Sequence, residues 1–260
     1  MAQPSGENFE LDQYIMHHVA NGQEWVLPIL PVIPLPKPLS LHLLMFLLAG
    51  AFLFIIFVLL YKEKNLRPYG RVTNAVEAFV LFIRNDIAIE CLGEEDGRRM
   101  TPLFCTFFFL ILTLNLMGLV PAFSTATANF NITGALALVT FGFMTAGAIK
   151  KNGLHGFIHA FIPSGVPLPM LFIMIPIEIL GFFIKPFVLM VRLFANLLGG
   201  HFVLLSLMGM TVLIGLVTLP VVVPVVLFIY LLEIFVSFLQ AYIFTFLSAM
   251  FISQMYHPEH

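Results

Sequence analysis

From Ser40 to Tyr61 the chain runs without a charged side chain, and further apolar stretches follow at about 100–120, 132–149, 170–210 and 221–255. About 20 such residues, coiled as a helix, cross the ~30 Å hydrocarbon core of a bilayer. Inside lipid every backbone polar group must be satisfied internally, which leaves helices or closed barrels. Alternation of period two is absent from these runs, so a barrel is not indicated. The sequence is 60% hydrophobic and 10% charged, against about 25% charged in soluble domains. The expectation is an all-α integral membrane protein of about five transmembrane helices, with an N-terminal segment over 1–38 and a single membrane domain over 39–260.

The placement of charge gives an orientation. Lys62, Lys64, Arg67 and Arg71 follow the first span, Arg98 and Arg99 precede the second, and Lys150 and Lys151 end the third. Basic residues are retained on the cytoplasmic side. The N-terminus, with Glu7, Glu10, Asp12 and Glu24 and no base before Lys37, then lies outside and the C-terminus in the cytoplasm. The first residues lack the basic n-region and small-residue cleavage site of a signal peptide, so a mature N-terminus is expected, and the membrane is read as a bacterial inner membrane. Val76, Phe79, Val80, Ile83 and Ile87 recur at helical spacing between charges, which predicts an amphipathic surface helix over about 73–92. Glu94, Glu95, Asp96, Arg98 and Arg99 read as a solvated loop. Cys91 and Cys105 have no metal-ligand spacing and read as packing residues.

The last third carries the chemistry. Apolar runs of some 40 residues make helices about 60 Å long, twice the core thickness. Pro220 and Pro224 mark a turn between them, so two long, strongly tilted helices forming a hairpin are expected. Glu178, Lys185, Arg192, His201 and Glu233 sit inside these runs. Each charge at mid-depth costs ~2.5–3.5 kcal/mol on the insertion scale, and such residues ask for a purpose. Glu178, Lys185, Arg192 and Gly199 are spaced by seven and form one stripe, with Asn196 a turn beyond Arg192. His201 falls on the opposite face, ~13 Å further along the axis. Glu233, Ser237 and Gln240, at i, i+4 and i+7, form a second polar stripe facing the first helix.

Histidine and carboxylate are suited to passing a proton, whereas arginine stays charged throughout. A relay beside a fixed cation suits a path that admits protons and a barrier that stops them. Plainer roles stand beside this: Lys185 near a helix end snorkelling to the interface, Glu178 as its counter-ion, Gln240 as inter-helix glue and His201 as a satisfied buried histidine. His155 and His159 have metal-ligand spacing but no third ligand, and His17 and His18 are weaker still. The glycosylation sequon at Asn131 to Thr133 reads as chance.

The run Arg192, Leu193, Phe194, Ala195, Asn196, followed by Gly199 and Gly200, resembles the R-L-F-x-N signature of F-type ATP synthase subunit a. The stretches Asn115 to Pro121 and Thr127 to Thr133 are similar to the same family, and the resemblance covers roughly 40–255. It implies a stator that forms two proton half-channels against a rotor ring of hairpin subunits with membrane carboxylates. Other implied partners are peripheral-stalk subunit b, the rest of the ATP synthase complex and the lipid bilayer, with no nucleic acid and no cofactor. Arg192 would face the ring and separate the half-channels. Asn196, His201, Glu233 and Gln240 would line the outer one, Glu178 would lie toward the inner one, and Lys185, Asn115 and Ser237 would be auxiliary. One common bacterial pattern has a carboxylate where His201 stands and a histidine where Glu233 stands, so the acid and base look exchanged here. Gly118 stands where some relatives carry an acid. The chain would be non-catalytic. An intramembrane enzyme lacks its motifs here, and a secondary transporter with an intramembrane ionisable site would call for inverted repeats, which are not detected.

Overall fold

The fold is taken from a computed structural model that describes residues 24–25, 33–34, 40–60, 70–120, 123, 126–162 and 168–257. Most of the N-terminal segment, including His17 and His18, and the basic Lys62, Lys64 and Arg67 lie outside the described residues. Among the described residues five helices are long and apolar enough to cross a membrane. They are α1 (Leu41–Leu60), α3 (Glu94–Leu119), α4 (Phe130–His159), α5 (Leu168–Ile214) and α6 (Leu219–Tyr256). Between α1 and α3 lies α2 (Arg71–Phe82), which continues through a π-helical stretch, Ile83–Ile89, to a last turn, Glu90–Leu92. A two-residue antiparallel pairing joins β1 (Glu24–Trp25) to β2 (Ile33–Pro34).

Local chemistry sets several boundaries, not all where the apolar pattern puts them. Ser40 accepts the amide N–H of Leu43 on its hydroxyl at 3.3 Å and so caps α1. The charged run from Glu94 to Arg99 is helix, not loop. Gly93, at φ 81°, breaks the preceding turn, and three acids then occupy the first turn of α3, where the helix dipole favours them. Helix α4 continues past Lys151 to His159 across a break at Gly153, φ 71°. His155 and His159 therefore lie on helix rather than loop, exposed, with ring centroids 4.4 Å apart. The turn before α6 falls at Gly215, φ 96°, and 216–218. Pro220 is thus the second residue of α6, where the missing N–H costs nothing. Helices α5 and α6, at 47 and 38 residues, have the excess length expected of them.

The chain forms two compact units that share the long helices. One comprises residues 1–55, 110–130 and 193–240, and the other 56–109, 131–192 and 241–260. The second is held largely by aromatic side chains. Phe79 stacks on Phe108 at 5.7 Å, Phe82 lies on Tyr242 at 5.9 Å, and Phe107 meets Phe244 edge-on at 5.5 Å. These contacts, with Ile83, Ile87, Ala88 and Leu92 buried, dock the end of the α2 segment on protein. Small residues allow close approach where packing must replace the hydrophobic effect: Gly134 lies under the Met190 sulfur and Gly147 under the Tyr256 ring.

Polar ties close the same unit. The Asn152 amide donates to the carbonyls of Met255 and Tyr256, at 3.1 and 3.2 Å. Lys151 pairs with Asp96 and lies 3.1 Å from His257, while Ser253 donates to the carbonyl of Cys91. Burial, and then the adjacent Glu90 carboxylate, pushes the Cys91 thiol above its ordinary value, in keeping with a packing role.

Gly97 makes the tightest approach. A Cβ there would meet the Ala88 carbonyl oxygen at 2.6 Å and the Ile89 Cα at 2.7 Å, both backbone. Gly97→Ala is expected to cost about 1–3 kcal/mol, read as a lower melting temperature of the detergent-purified chain. Gly142→Ala, into open space on a helix, should be neutral or mildly stabilising.

Candidate functional site

Within the first unit, α5, α6 and α3 line a partly open cavity of about 270 Å³. Its polar wall is Asn115 from α3, Asn196 from α5, and Glu233, Ser237 and Gln240 from α6. The three α6 residues share one face because their spacing is helical, and all three are buried, Glu233 at 8% exposure and Gln240 at 5%. Gly200 makes room for the carboxylate: a Cβ at that position would fall 2.0 Å from Glu233 Oε1 and 2.9 Å from its Cδ. Ser237 returns its hydroxyl proton to the Glu233 carbonyl at 2.8 Å, so it does not engage the carboxylate.

Two atoms in this wall, Glu233 Oε2 and Gln240 Nε2, are fully enclosed with no hydrogen-bond partner among the described residues. An unmatched buried polar atom costs about 1–3 kcal/mol. The cavity beside them is partly open, and apolar side chains make up most of its remaining lining around the one acid.

The surrounding bonds fix the wall. Thr127, fully buried in the short turn Ala126–Ala128, donates to Asn115 Oδ1 at 3.0 Å. Tyr230, one turn before Glu233, donates its hydroxyl to the Leu119 carbonyl, satisfying one of the carbonyls left open at the end of α3. Phe130 meets Phe194 edge-on at 6.0 Å. The His42 ring joins the Asn129 amide at 2.8 Å. His42, Thr127, Asn129 and Tyr230 were not singled out individually in the sequence. A histidine inside an otherwise apolar run was the available signal for the first.

The other candidates divide as follows. His201 is half-buried beside Gly200 on α5 and is not part of the cavity wall. Arg192 is exposed, and no ion pair engages it among the described residues. In the second unit Glu178 and Lys185 lie 3.8 Å apart. Lys185 also donates to Gln254 at 2.9 Å. Among the described residues no three His, Cys, Asp or Glu side chains group as metal ligands.

Residues 43–253 match the family model described as the ATP synthase A chain. The chain belongs to this family. Among curated proteins of the family, ATP synthase subunit a of Chloroherpeton thalassium is 43% identical over 260 residues, covering 94% of this chain and 77% of that protein. The subunit a of Chlorobium phaeobacteroides is 42% identical, covering 92% and 74%. That of Anaeromyxobacter dehalogenans strain 2CP-C is 48% identical over 218 residues, 81% of this chain. The chain spans 56% of the length of that relative. Membership of the ATP synthase A chain family and the five spanning helices make this a multi-pass membrane protein, and give no support to the transporter alternative.

Removing the acceptor of the buried Thr127 hydroxyl with Asn115→Leu should cost about 1–3 kcal/mol, measured by thermal unfolding. Asn115→Leu combined with Thr127→Val should cost less than the sum of the two, because both ends of one bond are then gone.

Proposed function

We propose that this chain is the proton-conducting stator of an ATP synthase membrane sector, itself non-catalytic, and that proton flow past it turns a rotor ring of hairpin subunits bearing membrane carboxylates. The observation that carries the reading is the partly open cavity beside Glu233, walled by polar side chains of three helices, with Glu233 Oε2 and Gln240 Nε2 buried without a partner among the described residues. Lipid has no use for such a pocket, and a proton path requires one. Asn115, Asn196, Ser237 and Gln240 hold water against the carboxylate, and His201 and Glu233 supply the base and the acid of the outer half-channel. Glu178, with Lys185, belongs to the inner half-channel.

Arg192 serves as the barrier. It cannot lose its proton, so it blocks a direct leak and holds an approaching ring carboxylate in its ionised form. Each proton crossing 100 mV then delivers ~2.3 kcal/mol to rotation. The reading extends to peripheral-stalk subunit b and the rest of the complex as partners, to a bacterial inner membrane, and to an N-terminus outside over residues 1–38 with the C-terminus in the cytoplasm.

The test is ATP-driven acidification of membrane vesicles that carry the assembled complex. Arg192→Gln should abolish pumping and Glu233→Gln should lower it about a hundredfold or more, with the chain still present in the purified complex. Pumping at the unaltered rate by either variant would contradict the assignment of that residue. Gly200→Ala, which displaces the Glu233 carboxylate, should also slow pumping without changing assembly.

A further inference from the structure

His42 is the second residue of α1 and, with Leu41, Met45 and Ala49, forms its buried face. The ring is only 2% exposed. Its Nδ1 lies 2.8 Å from the Asn129 side-chain nitrogen. An amide N–H can only donate, so Nδ1 is the acceptor and the neutral ring carries its proton on Nε2. Nε2 is fully enclosed, and no hydrogen-bond partner reaches it among the described residues. The bond to Asn129 accounts for one ring nitrogen, and the second is left without a partner among the described residues.

Polar groups continue from this ring to the cavity. Asn129 follows the turn that holds Thr127, Thr127 donates to Asn115 at 3.0 Å, and Asn115 lines the pocket of Glu233. All of these residues belong to one compact unit. Asparagine and threonine can orient water and relay hydrogen bonds, but neither takes up a proton at working pH. In this row His42 is the side chain with a titratable nitrogen.

We propose that His42 is a further proton-carrying residue, the outer station of the path that ends at Glu233. Rotation of the Asn129 amide turns its oxygen toward the ring, so that Nδ1 can take a proton from the cavity side and the imidazolium, held by that oxygen, can release its Nε2 proton outward when local opening admits a water. The ring is then neutral again with its proton on Nδ1, and the reverse sequence carries a proton inward. One proton has entered and one has left. The inference rests on the proton-conducting role proposed above and adds a residue to it.

Vesicles bearing the complete complex again supply the test. His42→Gln keeps an acceptor for Asn129 but cannot carry a proton, and His42→Ala leaves a hole that imidazole can fill. The expected result is a fall of about tenfold in ATP-driven acidification for each variant, with unchanged chain content in the purified complex, and recovery of His42→Ala on adding imidazole. Pumping by His42→Gln at the unaltered rate, or a His42→Ala defect that imidazole leaves untouched, would overturn the proposal. An unaltered complex that moves no protons would instead overturn the conducting role itself, so the two failures are distinct.

Discussion

A polar group inside a bilayer has no bulk water to return to, so each one must be paired, hydrated or put to use. That constraint organises this chain at two scales. At the scale of the backbone it forces the described apolar runs into helices whose amides and carbonyls bond internally. At the scale of side chains it makes every polar residue within those helices a question with a local answer. Thr127 is answered by Asn115, Tyr230 by the end of α3, and Lys185 by Glu178 and Gln254. Glu233, Gln240 and His42 keep an atom with no answer among the described protein groups, and a membrane protein that moves protons needs such atoms.

The lipid environment also explains why packing looks as it does. Apolar side chains gain little by leaving lipid for one another, so helices associate through shape and small residues. Gly97 and Gly147 each admit a neighbour that a side chain would clash with, Gly134 lies in close contact with Met190, and Gly200 leaves space for the Glu233 carboxylate. Long runs on α5 and α6, such as Phe172, Ile173 and Ile177 or Leu227, Phe228 and Leu231, are left exposed among the described residues. Contiguous apolar surface of this kind belongs against lipid or another subunit.

Much of this was legible in the sequence because lipid simplifies the code. An uninterrupted apolar run reads directly as a spanning helix, and the i, i+4, i+7 spacing of Glu233, Ser237 and Gln240 placed them on one face before any coordinates. The errors arose where local electrostatics or backbone geometry overrides hydropathy. The acids at 94–96 begin a helix because its dipole favours them, although composition suggests a loop. Past Lys151 the helix breaks at Gly153, close to where the lysines mark its end, and a further helical stretch to His159 follows the break. Gly215, not the following prolines, makes the turn. The polar row from His42 to Asn115 was hidden for another reason: its members are far apart in sequence, and no periodicity links them.

The most direct test of the central claim is an experimental density map of the purified complex, resolved well enough to show bound water. Ordered waters should bridge Glu233, Gln240 and Asn115, and a carboxylate from another chain should stand within ion-pair reach of Arg192 during part of the rotational cycle. A dry, lipid-filled pocket around Glu233, together with an Arg192 that meets only lipid headgroups in every rotational state, would contradict the account.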